Sequence, residues 1–210
     1  MFTDRKEAGD QLADKLLGYK GQDVVVMAIP RGGLPLGEII AKTLEAPLEV
    51  ALSKKIGHPF NKEYAIGAVS LKSRVLSDNI DVENSYIEEE TIRIRKKLEK
   101  HHNMFYTNRE PSSLEGRTVI IVDDGIATGN TILATVELVG HQQPKAIIVA
   151  IPVAPSSAIR KLKHHPNVDE VVCLEVPYDF RAVGQYYQHF PQVSDAKAIK
   201  TMQQTAKEKQ

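Results

Sequence analysis

Residues 119–131 read Val-Ile-Ile-Val-Asp-Asp-Gly-Ile-Ala-Thr-Gly-Asn-Thr, and no other stretch narrows the possible folds as far. Four consecutive β-branched apolar residues call for a strand covered on both faces. Asp123 and Asp124 end that run, so the strand must deliver two carboxylates to an edge where solvent or a ligand meets them. Gly125 and Gly129 allow a tight turn, and apolar spacing resumes after Thr131 with a helical period. A buried strand, an acidic ledge and a small polar turn at a helix start suit a ligand with two properties. It offers hydroxyls to the acids and an anion to the helix end, as a sugar phosphate does.

The rest of the chain supports one α/β domain around a mostly parallel central sheet flanked by helices. Val24–Ile29 is a second continuous apolar run, and Leu48–Leu52 and Ala146–Ile151 are further strands, with another over Val168–Leu174. Helical spacing covers residues 4–18, 34–44, 131–139 and 156–163, and Asp195 starts a helical tail. A long charged helix is expected over 83–106, with Glu89 and Arg93 paired one turn apart. Ala65–Leu76 holds one or two short strands. Residues 53–64 lack a period and carry Gly, Pro and Asn, which reads as a loop. In such sheets ligands bind beyond the carboxyl ends of the strands, so the segments after Ile29, Leu52 and Val122 should share one edge.

Lys+Arg and Asp+Glu both number 27, so no global basic field invites nucleic acid, and none is expected as a partner. Cys173 is the only cysteine, which excludes an internal disulfide and suits a reducing compartment. It belongs to a strand and reads as a core residue. The first residues lack the apolar core of a signal peptide, and no run reaches the ~20 apolar residues of a membrane span. A cytoplasmic protein without a membrane partner is the expectation. His101-His102 and His164-His165 invite a metal reading. Adjacent helical residues diverge by about 100°, and no further ligands follow at a recognisable spacing, so these histidines read as solvated.

Three segments carry candidate chemistry. The amides of Ala127, Thr128, Gly129, Asn130 and Thr131 should point outward at a helix N-terminus and favour an anion, with threonine hydroxyls adding donors. In Pro30-Arg31-Gly32-Gly33 the glycines expose amides and Arg31 supplies a forked cation for phosphate oxygens. Lys54 and Lys55 are further anion contacts. A strand–turn–helix with its acids used as caps would leave this combination unexplained.

The 119–131 pattern resembles the phosphoribosyl pyrophosphate (PRPP) motif of type I phosphoribosyltransferases. Phe2-x-Asp4-Arg5-x-x-Ala8-Gly9, Ile29-Pro30-Arg31-Gly32-Gly33, Lys54-Lys55-Ile56-Gly57-His58-Pro59 and Tyr178-Asp179-Phe180-Arg181-Ala182-Val183-Gly184 are similar to one branch of that family. The resemblance implies a single domain over 1–210, with a core at about 20–175 and a hood from 1–19 and 176–210. It implies that Asp123 and Asp124 bind ribose hydroxyls, that Ala127–Thr131 hold the 5′-phosphate, and that Gly125 and Ile126 also belong to the PRPP site. Arg31, Gly32 and Gly33 would grip pyrophosphate, in a loop that in the family often has an unusual peptide conformation. Residues 53–64 would be the flexible loop that closes over PRPP, and Mg²⁺ would arrive with PRPP.

The implied activity is transfer of ribose 5-phosphate to a nitrogenous acceptor, with Asp123, Asp124, Arg31, Lys54 and Lys55 as the catalytic set. Tyr178 or Phe180 would stack on the acceptor. The alternative is a PRPP-binding regulator without turnover. Ala127 stands where 6-oxopurine enzymes carry an Asp, which disfavours hypoxanthine and guanine. A homodimer is a further expectation from the family.

Overall fold

The computed structural model describes residues 1–77, 80–106 and 110–207. In chain order the elements are α1 (Arg5–Lys15), β1 (Val24–Ala28), α2 (Leu34–Leu44), β2 (Leu48–Val50), β3 (Ser53–His58), β4 (Asn61–Ser70), β5 (Arg74–Leu76), α3 (Asn84–Phe105), β6 (Thr118–Val122), α4 (Asn130–Gly140), β7 (Ala146–Val153), α5 (Ser156–Lys163), β8 (Glu170–Glu175) and α6 (Asp195–Lys207). Short 3₁₀ turns cover Leu17–Tyr19 and Val183–Tyr186.

Five strands form the central sheet in the order β2-β1-β6-β7-β8, each pair parallel. The apolar runs make this possible, because both faces are covered. Val24, Val26, Ala28, Ile120 and Val122 pack with α1, α2 and α6. Val25, Met27, Val119 and Ile121 point the other way and pack with α4 and α5. The alternation of side chains along each strand performs this sorting.

β1 lies between β2 and β6, so the chain reverses its direction of growth across the sheet there. A crevice opens at such a switch point, beyond the carboxyl ends of the strands. Ala28 is in register with Val122, which brings Ile29 and Asp123 side by side at the rim.

Residues 53–64 differ from the expected loop. They form β3 and the start of β4, and with β5 they make a separate three-stranded antiparallel sheet. The pattern was hidden because few of these residues are buried: in β3 only Ile56 and Gly57 are. Ile56, Ile66 and Val69 pack on Ile87, Ile94 and Leu98 of α3. Ala68 packs on Ala134 and Leu138 of α4. The small sheet is thus wedged between two helices. On α3 the partner of Arg93 is Glu90, at 2.6 Å, rather than Glu89; i,i+3 neighbours share a helix face as i,i+4 neighbours do.

The first residues and the segment before α6 are joined. Phe2 pairs with Tyr187 as a parallel bridge, and the amides of Gln188 and His189 donate to the carbonyls of Phe2 and Thr3 at 2.8 and 2.9 Å. Among the described residues no helix is long and apolar enough to cross a membrane.

Candidate active site

The site grows from the ends of β1 and β6. The Ile29 amide donates to the Val122 carbonyl at 2.8 Å and carries the chain one residue past the sheet, where the Gly33 amide turns back onto the Ile29 carbonyl at 3.0 Å. The Pro30–Arg31 peptide bond between them is cis. The loop then presses against the acids. A Cβ at Gly33 would stand 2.4 Å from the Val122 carbonyl oxygen and 3.1 Å from Cα of Asp123, and one at Gly32 would stand 2.2 Å from Oδ2 of Asp124. Only glycine fits at these two positions, and the loop backbone directly adjoins the acidic ledge.

From Asp123 the chain runs through Gly125 (φ 148°) and reaches Gly129 (φ 80°), the residue before α4. Positive φ at both explains the glycines. At Gly125 a Cβ would also strike Val183 Cγ1 at 2.5 Å. No side chain caps α4 at Gly129. Ala127, Thr128 and Thr131 are exposed around that helix start. The first amides of a helix lack intrahelical acceptors and carry the positive end of its dipole, an arrangement that favours an anion.

The acids are electrostatically strained. Desolvation raises the pKa of Asp123 well above the usual carboxylate range, and the charge of Asp124 pushes it further. The Asp124 amide donates to Asp123 Oδ1 at 2.9 Å, a weaker opposing influence. Asp124 is also raised by desolvation, but Arg5 pulls against that shift.

Arg5, read from the sequence only as part of the family-like N-terminal segment, also belongs to the site. Its Nε and Nη2 lie 2.8 Å from Asp124 Oδ2, with the two side chains only 11% and 15% exposed. Its guanidinium also lies 3.8 Å from the centroid of the Phe190 ring, and Nη1 donates to the Pro191 carbonyl at 2.7 Å. Tyr187 donates its hydroxyl to the Asp124 carbonyl at 2.7 Å, and its ring stacks on Phe190 at 4.7 Å. Asp4 caps α1 by accepting from the amides of Lys6 and Glu7, which sets Arg5 at the first turn of that helix. The signal was in the sequence: Asp4-Arg5 opens a helix, and an Asp cap fixes the direction of the next residue.

The other candidates divide. Arg31, Gly32, Gly33, Asp123 and Asp124 come together with Gly125, Ile126 and the Ala127–Thr131 turn. Arg31 pairs with Asp195 at the start of α6, at 3.3 Å and with side chains 37% and 57% exposed. An exposed pair of this kind is worth about 0–1 kcal/mol, so Arg31 can change partners cheaply.

Lys54 and Lys55 stand on β3 and face opposite sides. Lys54 is exposed, opposite Val69, whereas Lys55 lies opposite Ala68 on the side of α4. Tyr178 is fully exposed, and Phe180 stacks on Tyr186 at 5.7 Å. The aromatic residues that reach the acids are Tyr187 directly and Phe190 through Arg5.

Among the described residues no three His, Cys, Asp or Glu side chains gather as a metal site. His165 Nε2 lies 2.8 Å from a Glu137 oxygen and His102 stacks on Tyr106. Burial pushes the Cys173 thiol up to about 11, so it stays protonated and unreactive at neutral pH. A cavity of about 500 Å³ lies elsewhere, beside the second half of α4.

Comparison with known proteins places these features in context. Residues 3–188 match the family model described as "Phosphoribosyl transferase domain". Two Mycobacterium tuberculosis proteins provisionally named phosphoribosyl transferases are 37% identical over 205 residues, covering 95% of this chain and 46% of theirs. The chain therefore spans about half the length of those relatives. The crystal structure of TT1426 from Thermus thermophilus superposes with a TM-score of 0.90 at 37% identity, covering 97% of this chain and 98% of that one. A uracil phosphoribosyltransferase of Delftia acidovorans is 37% identical over 65 residues, 30% of this chain and 31% of that protein.

Proposed function

Since the chain belongs to the phosphoribosyl transferase family, we propose that it transfers ribose 5-phosphate from PRPP to a nitrogenous, nucleobase-like acceptor and releases pyrophosphate. One observation carries this reading. The Pro30–Gly33 loop, the Asp123-Asp124 ledge and the uncapped start of α4 meet at the switch point, with room for a Cβ at neither Gly32 nor Gly33. A cation-bearing loop, a diol-binding ledge and a phosphate turn correspond to the three parts of PRPP.

The turn at Ala127–Thr131 receives the 5′-phosphate. Asp123 and Asp124 accept from the ribose hydroxyls, which stabilises their charge and holds the anomeric carbon near the loop. Arg31 leaves Asp195 for the pyrophosphate, joined by exposed Gly32 and Gly33 backbone. As the bond from the anomeric carbon to pyrophosphate breaks, positive charge grows on the ribose ring, and the adjacent carboxylates favour it. The acceptor nitrogen then bonds to that carbon and sheds its proton to solvent or to the departing pyrophosphate. No nucleophilic side chain is needed.

Mg²⁺ belongs to this account as part of the substrate. The site offers two carboxylates and no third ligand among the described residues, which suits an ion held mainly by PRPP oxygens. Bound there, it would neutralise the leaving pyrophosphate. The β3–β4 hairpin supplies Lys55 on the side of α4, and its closure over the crevice would exclude water from the activated ribose.

The reading is tested by a pyrophosphate-release assay with Mg²⁺ and PRPP across purines, pyrimidines and other amines. Release with one acceptor class supports the transferase. PRPP binding without release for any acceptor makes the protein a PRPP-binding regulator. Absence of PRPP binding removes both readings.

A further inference from the structure

A cavity of about 500 Å³ opens between the β2 edge of the central sheet, the second half of α4 and the turn joining β4 to β5. No residue of Arg31–Gly33 or of Asp123–Thr131 lines it. Its volume falls within the ~300–1,000 Å³ range of small-molecule sites. Met27, Ala51, Leu71 and Leu138 give it an apolar wall, while Ser53, Ser73 and Thr135 bring hydroxyls that can donate or accept. His102 stacks on Tyr106, centroids 5.1 Å apart, and both border the space.

Charge selects further. Lys72 and Glu110 are exposed lining residues of opposite charge. Glu49 is 1% exposed and already accepts from the Tyr106 hydroxyl and the Ser112 hydroxyl, each at 2.7 Å. Among the described lining residues Lys72 is outnumbered by Glu49 and Glu110, so the wall does not favour a phosphate. An apolar slot with ring faces and scattered hydroxyls fits a heteroaromatic base carrying a sugar, without phosphate.

We propose that this cavity is a second ligand site for an uncharged nucleoside, and that its occupant acts on the helix start at Thr131. The connection is short. The hydroxyls of Ser53 and Thr135 lie 2.8 Å apart on the cavity wall, and Thr135 donates to the Thr131 carbonyl at 3.1 Å. Ser53 directly precedes Lys54 and Lys55. One occupant can thus shift both the α4 turn and the start of the hairpin, and any effect on binding there is returned in kind by linkage. Occupancy of the cavity does not depend on the reaction proposed above. A nucleoside already carries ribose on its glycosidic nitrogen, so it does not report the acceptor position of that reaction.

The test is calorimetric titration of the full chain with adenosine, guanosine, cytidine and uridine, together with hydrogen exchange of the 130–135 amides. At least one nucleoside should bind the native protein. Its affinity should fall at least tenfold in Leu138→Phe, which fills the space, and stay within twofold in Asp124→Asn. If Leu138→Phe does not fold, Leu71→Trp on the half-buried turn serves instead. At saturation, exchange at 130–135 should slow at least threefold in the native protein and not in Thr135→Val. Failure of all four nucleosides to bind overturns the proposal, as does affinity lost in Asp124→Asn but kept in the filling variants. Binding with unchanged exchange overturns the link to Thr131. Each result is obtained without PRPP, so it stands apart from the proposed transfer reaction.

Discussion

Arg5 and Asp124 are 119 positions apart in the chain, yet a guanidinium nitrogen of one lies 2.8 Å from a carboxylate oxygen of the other. The contact ties the first turn of α1 to the end of β6. It also explains why the segment around Phe190 folds back, because the same guanidinium lies against that ring. Asp124 has a fixed side-chain position and a counter-charge on Oδ2.

Removing Arg5 alone should therefore be costly. Arg5→Gln leaves a largely buried carboxylate without its partner and is expected to lower stability by about 3 kcal/mol, the low end for breaking a buried pair. Adding Asp124→Asn should restore at least half of that loss, a coupling within the usual range for contacting residues. Denaturant unfolding of the two single variants and the double variant measures it. Additive losses would show that the pair carries no coupling.

Asp123 lacks such a partner at its carboxylate among the described residues, and burial and its neighbour's charge oppose its ionisation more strongly. Its folded pKa is raised, so the folded state binds more protons than the unfolded state above the ordinary carboxylate range. Stability contributed by the protonated acid is full at low pH and is lost as pH rises through the folded pKa. Asp123→Asn keeps an acceptor for the Asp124 amide and removes this loss. It should melt higher than the native protein near neutral pH, by roughly 2–4 °C per kcal/mol recovered, with the advantage shrinking toward acid. The same variant should bind PRPP poorly. An advantage that grows as pH falls would contradict the assignment.

Gly33→Ala places a methyl 2.4 Å from the Val122 carbonyl oxygen, a backbone atom that cannot step aside. A destabilisation of at least ~1–3 kcal/mol is expected, the usual cost of overpacking, with loss of PRPP binding. Gly18→Ala is the control, because nothing lies within 4 Å of its added carbon. Its free energy of unfolding should stay within about 1 kcal/mol of the native value or rise. Equal effects at the two positions would remove the close-approach argument.

Lys55 shares its strand face with Ala68, toward α4, and Lys54 points away. Lys55→Ala should lower turnover roughly tenfold or more through loss of charge stabilisation at the leaving group. Its effect on PRPP affinity should be smaller. Steady-state kinetics alongside calorimetry separates the two. An unchanged rate would take Lys55 out of the reaction, and an equal loss in Lys54→Ala would remove the distinction between the faces.

The central sheet could be read from the chain because Val24–Ala28 and Val119–Val122 are apolar throughout, and only a doubly covered strand tolerates that. The acidic ledge and the turn into α4 were readable for a local reason: each residue's place in the backbone follows from its immediate neighbours. The β3–β4 hairpin was not. Ser53–His58 buries little, so its strand character comes from pairing with Asn61–Ser70 and from α3 and α4, partners remote from any local pattern. Arg5 stood in the family-like N-terminal segment, but its place at Asp124 was not legible, for a related reason. An arginine at a helix start is ordinary until tertiary packing brings Asp124 and Phe190 to it. The aromatic side of the site followed the same rule, with Tyr187 and Phe190 at the acids while Tyr178 stands in solvent.

The central claim is that the ledge, the loop and the turn form one PRPP site. Calorimetric titration of the native protein and of Asp124→Asn with Mg²⁺ and PRPP tests it most directly. The account predicts one PRPP bound per chain and at least tenfold weaker binding in the variant. Native-like binding in Asp124→Asn, or no binding by the native protein, would contradict it.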